Sequence, residues 1–342
     1  MTKTILPTIA GVALAMSAAT ALAQGSATLD AVKARGNLQC GVNTGTPGFG
    51  ALDSATNEWG GFDVDYCRAL AAAIFNDPKA VEFLPLTAAE RFTALQSGEV
   101  DVLFRNTTWT MSRDTQQGLA FTGVNYYDGQ GFMTRKETGV TSTTGLDGAT
   151  VCVQSGTTTE LNLADYFTAN NMTFTPVVFE ELAEVNASYD SGACDAYTTD
   201  ASGLAAIRLT LSAPDDHIVL PEIISKEPLG PVVRQGDDQW FMIVRWLHFA
   251  LLNAEEAGVM AANVEEMKTS EDVNIKRLLG TEGEFGASIG LGNDWAANAI
   301  KAMGNYSEIF ERNIGASTPI GLARGTNALW SDGGLQYGPP IR

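Results

Sequence analysis

Residues Asp101–Gly118 read DVLFRNTTWTMSRDTQQG, and the rest of the chain is best understood outward from them. Asp101–Phe104 is a short apolar run, the pattern of a buried parallel strand that ends in a turn. Arg105–Trp109, RNTTW, is small and polar; Thr110 then takes the N-cap position of a helix with Arg113 in its first turn. The start of a helix carries partial positive charge, so a cation there is slightly unfavourable by itself. An anion held by unpaired backbone N–H groups and gripped by the guanidinium reverses that balance. Arg113 and the amides around Thr108 are therefore expected to bind a carboxylate carried by a ligand. The alternative is a surface arginine paired with a nearby acid such as Asp114.

Upstream, strands and helices alternate. Asn37–Val42 reads as a strand, and Asn43–Gly50 (NTGTPGFG) as a loop at its end. Gly61–Phe75 is a helix, Val81–Leu86 a strand, and Thr87–Gly98 a helix opened by a Thr87/Glu90 capping box and closed by Gly98. This alternation predicts an α/β fold with parallel-rich sheets, whose ligands bind beyond the carboxyl ends of strands. Those ends are NTGTPGFG and RNTTWT. Tyr126–Lys136 then reads as an extended crossing, and the pattern restarts. Thr150–Gln154 is a strand that runs into SGTTTE, where Thr157 and Glu160 form a second capping box. Further strands are expected over Phe174–Phe179, Cys194–Tyr197 and His217–Leu220, with Thr198-Thr199-Asp200 opening a helix. Ile223–Gly236 is a second crossing, followed by an amphipathic helix capped by Asp238 with Trp240, Ile243, Val244, Leu247 and Leu251 on one face. Two C-terminal helices are expected, near Ser270–Leu279 and Asn293–Asn313. Two crossings predict two lobes around a cleft and closure about a two-strand hinge. The first lobe is expected from 24–128 and 231–342, the latter with a helical C-terminal extension, and the second from 129–230.

Residues 1–23 have the pattern of a cleavable secretory signal: Lys3, an apolar core over Ile5–Ala19, and the small-x-small site Ala21-Leu22-Ala23. No later stretch reaches the roughly 18 apolar residues of a membrane span. The formal net charge of −19 opposes binding to nucleic acid or anionic membranes. The four cysteines fit two disulfides in an oxidising compartment; of the three connectivities, the local pairs Cys40–Cys67 and Cys152–Cys194 are favoured. The cysteine spacings match no zinc motif, and His217 and His248, far apart, read as ordinary surface or half-buried side chains, so neither a metal nor a cofactor is expected.

The segments LQCGVNTGTPGF, GFDVDYCRAL, RFTALQSGEVDVLFRNTTWT, CVQSGTTTELNLADYF and the tail from NDWAAN through NYSEIFERNIG are together similar to the family 3 bacterial solute-binding proteins. Within these the chain most resembles the periplasmic general L-amino-acid binding proteins of polar amino acid ABC transporters. That resemblance implies a two-lobed, type II periplasmic binding protein, a monomer that delivers amino acids to membrane permease subunits. It implies Arg113, Thr108 and Thr158 on the ligand α-carboxylate, and Asp200 with Asn106 on its ammonium. Arg91 is the implied specificity residue for a side-chain carboxylate; the alternative is a helix-surface arginine paired with Glu90. Asn43 stands where aspartate- and glutamate-specific relatives place an arginine, which favours mixed acidic and amide ligands: Glu, Asp, Gln and Asn. Phe104 replaces a small residue of close relatives, and Phe49 and Trp109 are either apolar walls of the site or core. Periplasmic dehydratases of the cyclohexadienyl type share this fold, so an enzyme is the alternative, with Glu90 as the candidate general acid.

Overall fold

The computed structural model describes residues 25–342. The signal segment expected over 1–23 lies outside the described residues. The first sheet has five strands in the order Val81–Leu86, Leu38–Asn43, Val102–Leu103, Val232–Arg234, Leu119–Phe121. Its first three strands are parallel, with Leu38 opposite Val81 and Cys40 opposite Val102, and the last two run antiparallel to their neighbours. The second sheet also has five, in the order Phe174–Phe179, Ala149–Gln154, Ala196–Asp200, Gln130–Arg135, His217–Val219. Between the sheets, Tyr126–Asp128 pairs antiparallel with Glu227–Leu229. These two strands form the connection between lobes, and each is followed by a glycine in close quarters. A Cβ at Gly129 would lie 2.2 Å from Ile223 Cγ2, and one at Gly230 would lie 1.9 Å from the Gly123 carbonyl oxygen.

The first lobe is completed by the far end of the chain. Helix Asp238–Glu256 buries Trp240, Ile243, Val244, Leu247 and Leu251 against the sheet, as its apolar stripe requires, and the Trp240 indole donates to Asp101 O at 3.0 Å. Its cap is Asp237, one residue earlier than expected. The Asp237 carboxylate accepts from Trp240 N at 2.9 Å while also taking Ser26 Oγ at 2.8 Å, so it ties the helix to the start of the described chain. The helix expected over Asn293–Asn313 is two helices, Trp295–Met303 and Tyr306–Asn313. Gly304 breaks it with φ 81°, and Asn305 and Glu308 form a capping box that restarts it. Both pieces pack into the core that holds Leu38, Val42 and Phe62. Elements not foreseen include the hairpin Ala51–Asp53/Glu58–Gly60, the strand Leu119–Phe121 and the short helices Val264–Met267 and Phe285–Ser288.

The disulfides are Cys40–Cys67, between a strand and helix Phe62–Phe75, and Cys152–Cys194 in the second lobe, the pairs favoured from sequence. The histidines differ from expectation, since both are buried. Tyr66 and Tyr189 hydroxyls lie 2.8 Å from His248 Nδ1 and His217 Nδ1, and these contacts satisfy the rings inside the lobes. Among the described residues no cluster of His, Cys, Asp or Glu is arranged to hold a metal, and no helix is long and apolar enough to cross a membrane.

Candidate functional site

The carboxyl ends of strands from both sheets converge on one cavity. Strand Leu38–Asn43 delivers Asn43, and the turn after Val102–Leu103 delivers Arg105, Asn106 and Thr108. Arg91 opens helix Arg91–Ser97; the capping box of Thr87 and Glu90 sets its direction, with Glu90 N donating to Thr87 Oγ1 at 3.2 Å and Thr87 N to Glu90 Oε2 at 3.2 Å. From the second lobe come Thr158, at the start of helix Thr158–Ala169, and Asp200, at the end of strand Ala196–Asp200. Thr157 caps that helix through Glu160 N at 3.1 Å, whereas the Glu160 carboxylate turns to Gly156 N at 3.1 Å instead of closing the expected box. Thr158 and Thr159, whose first-turn amides have no helical partners, line the cavity.

The lobes touch around this cavity. Thr108 Oγ1 lies 3.2 Å from Thr158 Oγ1, and Arg91 Nη2 donates to Gly156 O at 3.4 Å. The enclosed volume is about 50 Å³, room for a few water molecules. The structure is a closed form, with the two lobes bonded to each other across the cavity, and a ligand enters when they part.

Of the residues singled out from sequence, Arg91, Asn106, Thr108, Thr158 and Asp200 line the cavity. Arg113 stands directly behind Thr108, donating from Nη1 to Thr108 O at 3.0 Å, and Thr110 caps its helix through Arg113 N at 3.3 Å. It is buried and makes no ion pair with Asp114. Arg91 is likewise buried and unpaired with Glu90, whose carboxylate is spent on the Thr87 cap at the helix start and does not line the cavity. Phe49, Phe104 and Trp109 are not walls of the site. Phe49 packs edge-on to Tyr126, Phe104 stacks on Tyr66, and Trp109 stacks on Phe121 with ring centres 5.8 Å apart.

Sequence reading missed Arg105, Glu227 and Asp128. Arg105 is only 3% exposed and lines the cavity beside Arg91, itself 2% exposed. Neither these two nor Arg113 contacts a carboxylate among the described residues. Burial pushes the Arg105 and Arg113 pKa values down to about 10, and burial followed by the charges of Arg105 and Arg113 lowers that of Arg91. All three remain cationic at neutral pH. The signal in the sequence was three arginines within a short stretch of a chain holding only 21 basic residues.

The negative side of the site lies opposite. The Asp200 carboxylate makes no capping bond to its own helix and accepts no hydrogen bond from protein groups among the described residues. Burial, then the neighbouring Asp128 and Glu227 charges, push its pKa well up. Burial raises Asp128 to about 6 although Ser202 Oγ donates to it. Glu227, in the lobe connection, accepts from Thr158 Oγ1 at 2.8 Å, Asn162 Nδ2 at 2.7 Å and Ser225 Oγ at 2.6 Å. Asp63 Oδ2 accepts from Asn106 N at 3.1 Å and so holds Asn106 at its left-handed φ of 44°. A site with buried guanidiniums on one wall and an unpaired carboxylate on the other is complementary to a zwitterion.

Comparison with known proteins agrees with this geometry. The chain is 62% identical over 335 residues to the general L-amino acid-binding periplasmic protein AapJ of Rhizobium johnstonii, covering 97% of this chain and 98% of that one. It is 60% identical to the glutamate/glutamine/aspartate/asparagine-binding protein BztA of Rhodobacter capsulatus, over 96% of this chain and 97% of that one. A solved periplasmic binding protein from Brucella ovis, with glutathione bound, superposes with a TM-score of 0.90 at 63% identity, covering 92% of this chain and 99% of that one. These relatives are solute-binding proteins, which favours a binding role over the dehydratase reading. The family profile of the bacterial extracellular solute-binding proteins, family 3, matches residues 38–267, and the chain belongs to that family.

Proposed function

We propose that this protein is the periplasmic receptor of an ABC transporter for L-amino acids, exported through the cleavable signal at 1–23 and working as a monomer. It takes acidic and amide side chains, Glu, Asp, Gln and Asn, and hands the ligand to membrane permease subunits when the lobes are closed. The observation that carries this reading is the pairing across one cleft of unpaired guanidiniums with the unpaired Asp200 carboxylate. Arg113, the Thr108 amide and hydroxyl, and the Thr158 hydroxyl and amide hold the ligand α-carboxylate. Asp200 receives its ammonium, with the Asn106 carbonyl beside it. Arg91 meets the side-chain end. The names of the relatives fit: one is a general L-amino acid binder, one binds the four acidic and amide amino acids, and one holds glutathione, whose γ-glutamyl end is a free amino-acid head. The lobes that open and close are 24–128 with 231–342, and 129–230.

The test is titration calorimetry of ligand-stripped protein with a panel of L-amino acids. Saturable binding of glutamate and glutamine is expected. Absence of binding to every member of the panel would overturn the receptor reading.

A further inference from the structure

Two buried guanidiniums line the cavity and a third, Arg113, stands behind Thr108, yet the ligand head offers a single carboxylate. Under the receptor reading above, on which this inference rests, Arg113 beside Thr108 answers that carboxylate. Arg91 and Arg105 both line the cavity, and each keeps a buried N–H group without a hydrogen-bond partner, Nε of Arg91 and Nη2 of Arg105. Unsatisfied buried donors on charged groups are strongly disfavoured unless something supplies the acceptor. The buried acid whose charge acts most on Arg105 is Asp63, but that carboxylate accepts from Asn106 N at 3.1 Å and forms no ion pair with Arg105. Arg105 is therefore not explained as the partner of a structural acid.

We infer that Arg105, with Arg91, forms a second anion subsite that binds a distal carboxylate of the ligand, and that Arg105 is the residue that makes the receptor favour ligands carrying two carboxylates. The two arginines differ in how they are held. Arg105 Nε donates to Leu86 O at 3.0 Å, a contact inside the first lobe that opening leaves intact. Arg91 stacks its guanidinium over Phe92, 4.7 Å from the ring centre, and also donates across the cleft to Gly156 O at 3.4 Å. Arg105 is thus in place before closure, whereas Arg91 completes its bonding only when the second lobe arrives. An incoming side-chain carboxylate meets Arg105 first.

The test uses the full-length, ligand-stripped protein and calorimetry with L-glutamate, L-glutamine and L-alanine. Arg105→Met is expected to weaken glutamate by about 10- to 100-fold, the range for a hydrogen bond to a charged group, and glutamine and alanine by about threefold or less. Arg105→Lys, which keeps the charge, is expected to recover part of the glutamate affinity. Equal losses for all three ligands would mean that Arg105 only supports the fold, and unchanged glutamate affinity would mean that it does not touch the ligand; either result overturns the inference. A second arm needs no variant: wild-type protein should bind L-glutamate at least about tenfold more tightly than its γ-methyl ester, which lacks the distal charge. Equal binding of acid and ester refutes the subsite while leaving the amino-acid receptor standing, whereas a protein that binds neither, nor any other amino acid, fails at the receptor reading itself.

Discussion

Asp200→Asn should weaken ligand binding and strengthen the unliganded fold. In the closed site Asp200 is the one acidic group on the cavity wall that accepts no hydrogen bond from the protein. Neutralising one member of a buried ion pair costs about 2–5 kcal/mol, a loss of about 30- to 5,000-fold in affinity for an amino acid. Stability moves the other way. In the closed form without a ligand, the Asp200 charge is buried beside Asp128 and Glu227, and its pKa is raised well above the ordinary 3.8. An acid with a raised folded-state pKa holds its proton more tightly in the folded protein than in the unfolded chain. Its contribution to stability is present at low pH and is lost as pH climbs from 3.8 through the raised value. One such group steepens that decline by up to about 1.4 kcal/mol per pH unit. The asparagine variant lacks this loss, so its ligand-free Tm at neutral pH should exceed that of wild type, by about 2 °C for each kcal/mol in a chain of this size. Asp128, raised to about 6, and Asp63, raised to about 7, stay in place, so the variant retains a shallower decline. Calorimetric titration with L-glutamate and scanning calorimetry of ligand-stripped protein from about pH 4 to about pH 8 measure both arms. Affinity within about threefold of wild type, or a lower Tm near neutral pH, would refute the reasoning.

Arg113→Ala should abolish detectable amino-acid binding while losing within the fold the bond to Thr108 O and the stacking of its guanidinium over Phe92, about 1–3 kcal/mol together; micromolar affinity that survives in titration would contradict its assigned role. Thr158→Val removes the hydroxyl that meets both Thr108 and Glu227, and should weaken glutamate by about 5- to 30-fold and shift solution scattering of the liganded protein toward the open form. Unchanged scattering and affinity would show that this contact does not hold the lobes together. Replacing both Cys152 and Cys194 by serine should lower stability by about 2–5 kcal/mol with binding retained below the new Tm, and a denaturation midpoint equal to that of wild type would dispute the stabilising role of this crosslink.

Local chemistry made much of the architecture readable before the structure. Thr110 and Thr157 cap where hydroxyls preceding helical periodicity said they would, and Thr87 bonds Glu90 as foreseen but in the turn just ahead of helix Arg91–Ser97, because such bonds depend on near neighbours in the chain. What escaped depended on partners far away. Asp237 rather than Asp238 caps its helix because it also bonds Ser26, more than 200 positions earlier. The short strand Leu119–Phe121 owes its existence to pairing with Val232–Arg234, which local propensity does not contain. The break at Gly304 was written in the Gly-Asn-x-x-Glu signature but was overridden by the apolar periodicity on either side. Within the site, Arg113 stood out through its position at a helix start, and Asp200 through the family resemblance. Arg105 did not, because a cation after a strand resembles any turn residue until its burial is seen.

The first lobe closes on itself only when the last part of the chain arrives, and its crosslink does not wait for that event. Cys40 and Cys67 are both early in the chain, so under the proposed export they can join once residues 38–75 have emerged. The helix they anchor, Phe62–Phe75, is covered by Trp295–Met303 and Tyr306–Asn313, which lie far later in the chain. A nascent molecule therefore passes through a stage in which its first sulfur bridge is made while Phe62 and Leu70 still lack their cover. Premature termination ahead of Trp295 would freeze that stage: an oxidised product, correctly crosslinked, with a sticky flank for proteases and chaperones to find.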